Sequence, residues 1–353
     1  MSTAIRSFAK INLGLKIGAA RADRFHELRT IYQTIALHDM VRVEVQKGEG
    51  IEIHCGDPRV PTDATNTCYK VAERVMRVVK AGGRVVITIE KQLPVQGGMG
   101  AASSNAIATM IGLERELQTT IPTQAKLRIA AEVGSDLPLF LVGGTVLGVD
   151  RGQEVYALQD LPPISIVLVT PPVGVSTPKA FVAWDSLIEL AQTAEAINAA
   201  GYALGEPELT APSAAGTITT FSQSVSAWLE KVFPLQAWPA SGVPASGGDR
   251  AETPLLDLVR TGIENDFERV VFPEHPELRE VKRVLEREGA HYASLSGSGS
   301  TLYGLFASAA EAESAAQRMS AAGHAAVASR TVTRAEYWKA VASSQLPVAS
   351  EER

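Results

Sequence analysis

The run from Leu93 to Asn105, L-P-V-Q-G-G-M-G-A-A-S-S-N, constrains this chain most, because it places a loop of small residues directly before a helical pattern. Gly97, Gly98 and Gly100, followed by Ala101 and Ala102, leave no bulky side chain in the way, so backbone N–H groups can turn inward and close on an anion. The hydroxyls of Ser103 and Ser104 add donors. Downstream, Ala106, Ile107, Met110, Ile111, Leu113 and Leu117 recur at the spacing of an amphipathic helix, which points its N-terminus at the loop. Unpaired N–H groups and the positive end of the helix dipole would stabilise a chain of phosphates there without a lysine. Two better-known phosphate loops fit less well. A P-loop needs a lysine closing its glycines, and none lies between Lys91 and Lys126. A dinucleotide loop needs a third glycine where Ser103 stands and must follow its strand directly, whereas residues 92–96 intervene. A loop that merely joins strand to helix is the remaining alternative.

Length sets the frame around that loop. At 353 residues the chain exceeds one comfortable core, which predicts two domains, 1–160 and 161–340, ahead of a polar tail at 341–353. Within the second, residues 203–255 carry Pro207, Pro212, Pro234, Pro239, Pro244 and Pro254 among Gly, Ser, Ala and Thr, the composition of a long surface excursion or linker. A formal net charge of −6 without a basic stripe argues against a nucleic-acid partner, so an anionic ligand must be met locally. No stretch reaches the roughly eighteen apolar residues of a membrane span, and residues 1–6 hold no apolar signal core, so a cytoplasmic protein without a membrane partner is expected. Cys55 and Cys68 are too few for a disulfide framework or a four-cysteine zinc site and read as small buried hydrophobes. His38, His54, His275, His291 and His324 show no metal-ligand spacing. Oligomeric state leaves no mark in the sequence.

Along the chain, residues 3–17 and 41–53 are expected as strands of one sheet. Asn66 opens a helix whose buried face is Val71, Ala72, Val75, Met76, Val78 and Val79, stopped by Gly82 and Gly83 before a strand at 84–90. A helix near 126–133, a Gly143-Gly144 turn and strands at 145–149 and 164–169 follow. Beyond them a helix is predicted at 178–194, a short one at 225–233, order again at 255–260 and a charged helix at 278–287. Strands at 292–295 and 302–306, a helix at 309–322 and a strand at 325–332 complete the reading, with only a polar tail after them. Helices and antiparallel-prone strands intermingle, which makes the class α+β.

Three segments besides the loop bear on chemistry. In Ser7-Phe8-Ala9-Lys10-Ile11-Asn12-Leu13, strand alternation puts Lys10 and Asn12 on one face of an apolar strand. An inward lysine needs an anion, while a solvent-facing edge lysine is the other reading. Asp136 stands alone among apolar residues in G-S-D-L-P-L-F, either a helix or turn cap or a carboxylate that a cation such as Lys10 keeps ionised to accept a proton. Ser296-Gly297-Ser298-Gly299-Ser300 forms a second glycine loop between two strands. Two glycine loops, one inward lysine and one lone aspartate together point to a phosphoryl-transfer site more strongly than any one of them does.

Lys10-Ile11-Asn12, the run P-x-x-x-G-M-G-A-A-S-S from Pro94 to Ser104, and Leu295-Ser296-Gly297-Ser298-Gly299 resemble the three ordered motifs of the GHMP small-molecule kinases. With S-F-A-K-I-N-L-G-L, Phe25-His26, G-S-D-L-P-L-F and Asn265-Asp266-Phe267-Glu268, the resemblance narrows to the branch that phosphorylates a cytidine-diphosphate-linked methylerythritol on the non-mevalonate isoprenoid route. It covers most of residues 5–180 and 260–308. It implies the two-domain GHMP kinase fold, with an N-terminal domain that is ribosomal protein S5 domain 2-like and a ferredoxin-like C-terminal one. It further implies ATP with Mg2+, for which no protein ligand can be named beyond a touch from Ser103 or Ser104, and a small-molecule acceptor.

Residue by residue, the resemblance implies that Pro94, Val95, Gln96, Gly97, Gly98, Met99, Gly100, Ala101, Ala102, Ser103 and Ser104 wrap the ATP phosphates, with Asn66 near the adenine. It makes Lys10 and Asp136 the catalytic pair. Asn12, Phe25, His26 and Asp136 hold the acceptor, His26 reading the cytosine edge and Phe25 stacking on it, and Gly297, Ser298 and Gly299 close the site. Arg24-Phe25 stands where the family usually has Gly-Tyr, Met99 replaces leucine, and Ala101 and Ala102 replace glycines. A GHMP kinase for homoserine or a mevalonate derivative and a silent nucleotide-binding paralogue are the alternatives, the first disfavoured by Phe25-His26 and the second by intact Lys10 and Asp136.

Overall fold

The structure, a computed structural model, describes residues 2–95, 97–199 and 264–343. The proposed excursion at 203–255, the elements expected at 225–233 and 255–260, and Gln96 lie outside the described residues. Two long antiparallel strands, β1 (Thr3–Ala20) and β2 (His26–Gln46), form a ribbon through the molecule. Residues 26–40 of β2 carry no strand pattern in the sequence. Thr30 to Ile35 are buried on both faces, which erases the alternation by which a half-buried strand is recognised.

Around the ribbon the first sheet runs β3-β4-β2-β5-β6, with β1 also on β2; these are β3 (Ile51–Cys55), β4 (Arg84–Glu90), β5 (Thr145–Val149) and β6 (Glu154–Ala157). β3 and β4 are parallel, and α1 (Thr67–Val79) lies between them in the chain. The Asn66 side chain caps α1 by accepting from Cys68 N at 2.8 Å. The helix ends at Lys80, in the left-handed region at φ 53, before the expected glycines are reached. α2 (Ala101–Glu116) departs from the expected amphipathic stripe: Ser104 to Leu113 are all buried, because α1, β1 and β2 pack around it. α3 (Thr123–Val133) and a 3-10 turn at Pro138–Leu141 bracket Asp136.

The second sheet, order β10-β7-β9-β8, is antiparallel throughout: β7 (Ser165–Val169), β8 (Tyr292–Leu295), β9 (Leu302–Phe306) and β10 (Ala326–Arg330). α4 (Thr177–Ala199), α5 (Glu268–Glu274), α6 (Pro276–Arg287) and α7 (Ala309–Ala321) accompany it. β1 ties the layers together. Ile5 and Phe8 enter the first core, Ala9, Ile11 and Leu13 pack with Ile166, Leu168, Tyr303 and Leu305, and Leu15 and Ile17 enter the second core.

The polar tail starts later than expected. Thr333 and Glu336 form a capping box that opens α8 (Arg334–Ala342), and Tyr337 and Val341 bury in the first core. Tyr337 OH donates to the Phe140 carbonyl at 2.7 Å, so residues 334–342 pack with the N-terminal layer although they follow the second sheet in the chain.

Candidate active site

α2 begins where the glycine loop ends. Gly100 occupies its N-cap position at φ 67 and Gly98 sits at φ 75, both in the left-handed region. A Cβ on Gly98 would also overlap the Ser296 carbonyl oxygen, since the two glycine loops touch there. Ser296 Oγ donates to Gly98 O at 3.1 Å and Thr301 N to Gly97 O at 3.2 Å, while Lys10 N donates to Met99 O at 3.0 Å. The loop is thereby tied to β1 on one side and to the second sheet on the other.

Beside it lies a cavity of about 360 Å³ lined by Val60, Pro61, Thr65, Asn66, Lys91, Pro94, Val95, Gly97 to Ala102 and Ser103, and bounded by Cys68 and Asn105. Asn66 is held by its cap bond and by Nδ2 donating to Pro61 O at 2.5 Å. Ala101 and Ala102 are helical, so they replace glycine without strain. Ser104 departs from the expected phosphate contact: it is buried, with Oγ 2.8 Å from Ser7 Oγ. Consecutive residues point about 100° apart around a helix, so Ser103 faces the cavity while Ser104 faces β1.

An anchor that the sequence reading missed lies beneath the loop. Asp39, fully buried, accepts from Lys91 Nζ at 2.6 Å, Gln92 N at 2.7 Å, Leu93 N at 2.8 Å and Asn105 Nδ2 at 3.0 Å. One carboxylate thus fixes the loop entrance to the first turns of α2.

The expected pair assembles at the other end of the loop. Lys10 Nζ lies 3.4 Å from Asp136 Oδ2 and donates to Asn12 Oδ1 at 2.6 Å. Asn12 Nδ2 donates to Thr30 Oγ1 at 2.7 Å, which fixes the orientation of the amide. Lys10 and Asn12 share a face of β1, as alternation predicts. Asp136 is less enclosed than expected, with 32% of its side chain exposed against 4% for Lys10. Such a carboxylate is accessible to an incoming hydroxyl. Tyr32 OH donates to Asp136 Oδ1 at 3.1 Å, and burial together with the Asp136 charge pushes the phenol well above its usual pKa.

The second glycine loop faces this pair. A Cβ on Gly297, at φ 59, would stand 3.3 Å from Asn12 Oδ1 and 3.5 Å from Lys10 Nζ. Asn265 Nδ2 holds the loop by donating to Leu295 O at 2.8 Å and Gly297 O at 2.7 Å. Ser298 Oγ lies 2.7 Å from Thr177 Oγ1 at the start of α4, and Gly299 adopts φ 94.

Phe25 and His26 part company. Phe25 is 49% exposed with the Arg151 guanidinium 4.8 Å from its ring centroid, and Arg24 takes φ 66 where glycine would be unstrained. The His26 ring is buried, its Nε2 2.6 Å from Asp185 Oδ1, and Phe181 stacks on it at 4.7 Å and 10°. Phe181 and Asp185 come from α4, and nothing local in their sequence announces the contact. Among the described residues no group of three or more His, Cys, Asp or Glu is placed to hold a metal ion.

A glycine loop at a helix start, set beside a lysine–aspartate pair and a second glycine loop, is the arrangement expected of a small-molecule kinase. The family models agree: GHMP kinases N terminal domain matches residues 66–144 and GHMP kinases C terminal matches 252–325. A 4-diphosphocytidyl-2-C-methyl-D-erythritol kinase of Solibacter usitatus is 34% identical over 86% of this chain and 80% of its own length. Its namesake from Heliobacterium modesticaldum is 33% identical over 88% of each. The crystal structure of a 4-(cytidine 5'-diphospho)-2C-methyl-D-erythritol kinase superposes with a TM-score of 0.65 at 24% identity, covering 93% of this chain and 98% of that one, and shares the fold. The chain belongs to the 4-diphosphocytidyl-2-C-methyl-D-erythritol kinase family of GHMP kinases.

Proposed function

We propose that this kinase transfers the γ-phosphoryl group of ATP to the 2-hydroxyl of 4-diphosphocytidyl-2-C-methyl-D-erythritol, as the names of its relatives indicate. The observation that carries the mechanism is the Lys10–Asp136 pair, 3.4 Å apart between the two glycine loops. Phosphoryl transfer needs in-line positioning and charge neutralisation more than covalent help. Residues 94–103 would hold the triphosphate on backbone N–H groups and the start of α2, with the adenine toward Asn66. The acceptor is a hindered tertiary alcohol. Its oxygen attacks the γ-phosphorus as the bond to the β-γ bridging oxygen breaks, and Asp136 takes the hydroxyl proton. Lys10 holds Asp136 in place and offsets charge on the transferring phosphoryl oxygens, an effect worth several kcal/mol in order of magnitude.

Magnesium, when bound, would supply neutralisation of phosphate charge, and Ser103, which lines the cavity, would offer it a hydroxyl. Asn12 would orient the acceptor, Phe25, His26 and Phe181 would form the wall that takes cytosine, and Gly297 to Gly299 would close over the pair. No described helix is long and apolar enough to cross a membrane.

The test offers ATP with the cytidine-linked acceptor, homoserine and mevalonate in parallel. Phosphorylation only of an acceptor lacking cytidine overturns the substrate. Asp136→Asn should lower kcat by about 10²- to 10⁴-fold, the usual range for a lost general base. Turnover near that of the parent would remove Asp136 from its role.

A further inference from the structure

We propose that Tyr32 is the positioning residue of this site, its phenol fixing the rotation of the Asp136 carboxylate while Lys10 holds the other oxygen. The inference rests on the reading of Asp136 as proton acceptor. Tyr32 OH donates to Oδ1 at 3.1 Å and Lys10 Nζ lies 3.4 Å from Oδ2, so each carboxylate oxygen has its own donor. The donors come from adjacent strands, where Lys10 on β1 pairs with Thr34 and Asn12 with Tyr32 on β2. An aspartate held by Lys10 alone would swing about its broad final torsion, since one face is open to the cleft.

The tyrosine itself is locked. Its side chain is 2% exposed, and two glycines make the slot it occupies. A Cβ on Gly148, in β5, would overlap its ring, and one on Gly152, at φ 94, would come 2.5 Å from its hydroxyl oxygen. Lys10 Nζ lies 5.6 Å from the ring centroid, so one side chain steers both charged partners. Among the described residues, the titratable groups facing Asp136 are Lys10 from β1 and Tyr32 from β2. The phenol resists ionisation, and therefore it donates to Asp136 throughout the neutral range and does not compete for the acceptor's proton.

Tyr32→Phe keeps the ring and its slot and removes only the donor. The expected result is a kcat about tenfold lower, the size of one hydrogen bond to a charged group. The acid limb of the kcat/KM profile should move up by about one pH unit, because the ionised carboxylate loses a stabilising donor. The KM for ATP and the Tm should stay at the parent values. A ring-fluorinated tyrosine at position 32, a stronger donor, should move the limb the opposite way. An unchanged kcat and acid limb in Tyr32→Phe overturn the proposal, as does a lower Tm with no movement of the limb, which would make Tyr32 a packing residue. Asp136→Asn, assayed alongside, separates the two ideas. If it retains turnover the proton-acceptor reading fails; if it is inactive while Tyr32→Phe matches the parent, only the role of Tyr32 fails.

Discussion

A buried ammonium needs an opposite charge, which Lys10 meets in Asp136, while the Asn12 side-chain Oδ1 accepts a further hydrogen bond from it. The phosphates of a bound nucleotide would complete its surroundings. Lys10→Met preserves the stem and removes the charge; kcat should fall by roughly 10²- to 10³-fold, as for other lost electrostatic donors, and steady-state assays at saturating ATP measure it. Cys68 shows the converse effect of burial. Desolvation pushes its thiol up to about 12, against a smaller downward pull from Thr109, although the residue borders the cavity beside the glycine loop. Thiolate is scarce at neutral pH, so iodoacetamide followed by peptide mapping should find Cys55 labelled and Cys68 intact in the folded enzyme. Labelling of Cys68 at the rate of Cys55 would contradict the enclosed position.

At the scale of elements, the proposed phosphate cradle depends on two loops sharing one crowded contact. Gly98→Ala adds a methyl group against the Ser296 carbonyl at a backbone angle that L-residues rarely adopt, so the loops must separate. ATP affinity should drop by at least about tenfold, since strain at such a position is on the order of 1–3 kcal/mol, with titration calorimetry as the readout. Ala101→Gly, inside α2, should leave nucleotide affinity nearly unchanged by comparison. The start of α1 is set by a different device. Asn66→Ala removes the side-chain cap, and chemical denaturation should report a loss of about 1 kcal/mol. A larger loss would show that the bond to Pro61 also holds the segment in place.

For the whole molecule, the segment 264–266 fastens the two layers together. Leu15 N donates to Glu264 O at 3.0 Å and Asp266 N to Leu15 O at 2.9 Å, beside a buried pair in which Lys16 Nζ lies 3.1 Å from Asp266 Oδ1. Burial outweighs the attraction of Lys16 and lifts the Asp266 carboxyl above its ordinary pKa. The native state then binds that proton more tightly than the unfolded chain, so this group favours the fold at low pH and the contribution is lost as pH rises through the raised value. Near neutrality, Lys16→Met alone should destabilise by about 3–5 kcal/mol, because it strands a buried carboxylate. Lys16→Met combined with Asp266→Asn should recover most of that loss, and urea titrations of the three proteins decide; a double variant as weak as the single one would contradict the desolvation argument. The same distinction separates what was legible in the sequence from what was not. The glycine loop before α2, the cap at Asn66 and the strands of the second sheet follow from short-range pattern, because backbone freedom and alternation act over a few residues. Residues 26–40 were illegible as strand since burial on both faces removes alternation, and Ser104, Phe181, Asp185 and Asp39 take their places from packing. Sequence by itself determined that a loop of small residues runs into a helix start and which residue types there could serve an anion. Only the tertiary structure decided that Lys10 meets Asp136, that Gly98 rests on Ser296 and that Tyr32 joins them, because contacts between distant segments are set by sheet register and close packing and leave no local trace in the chain.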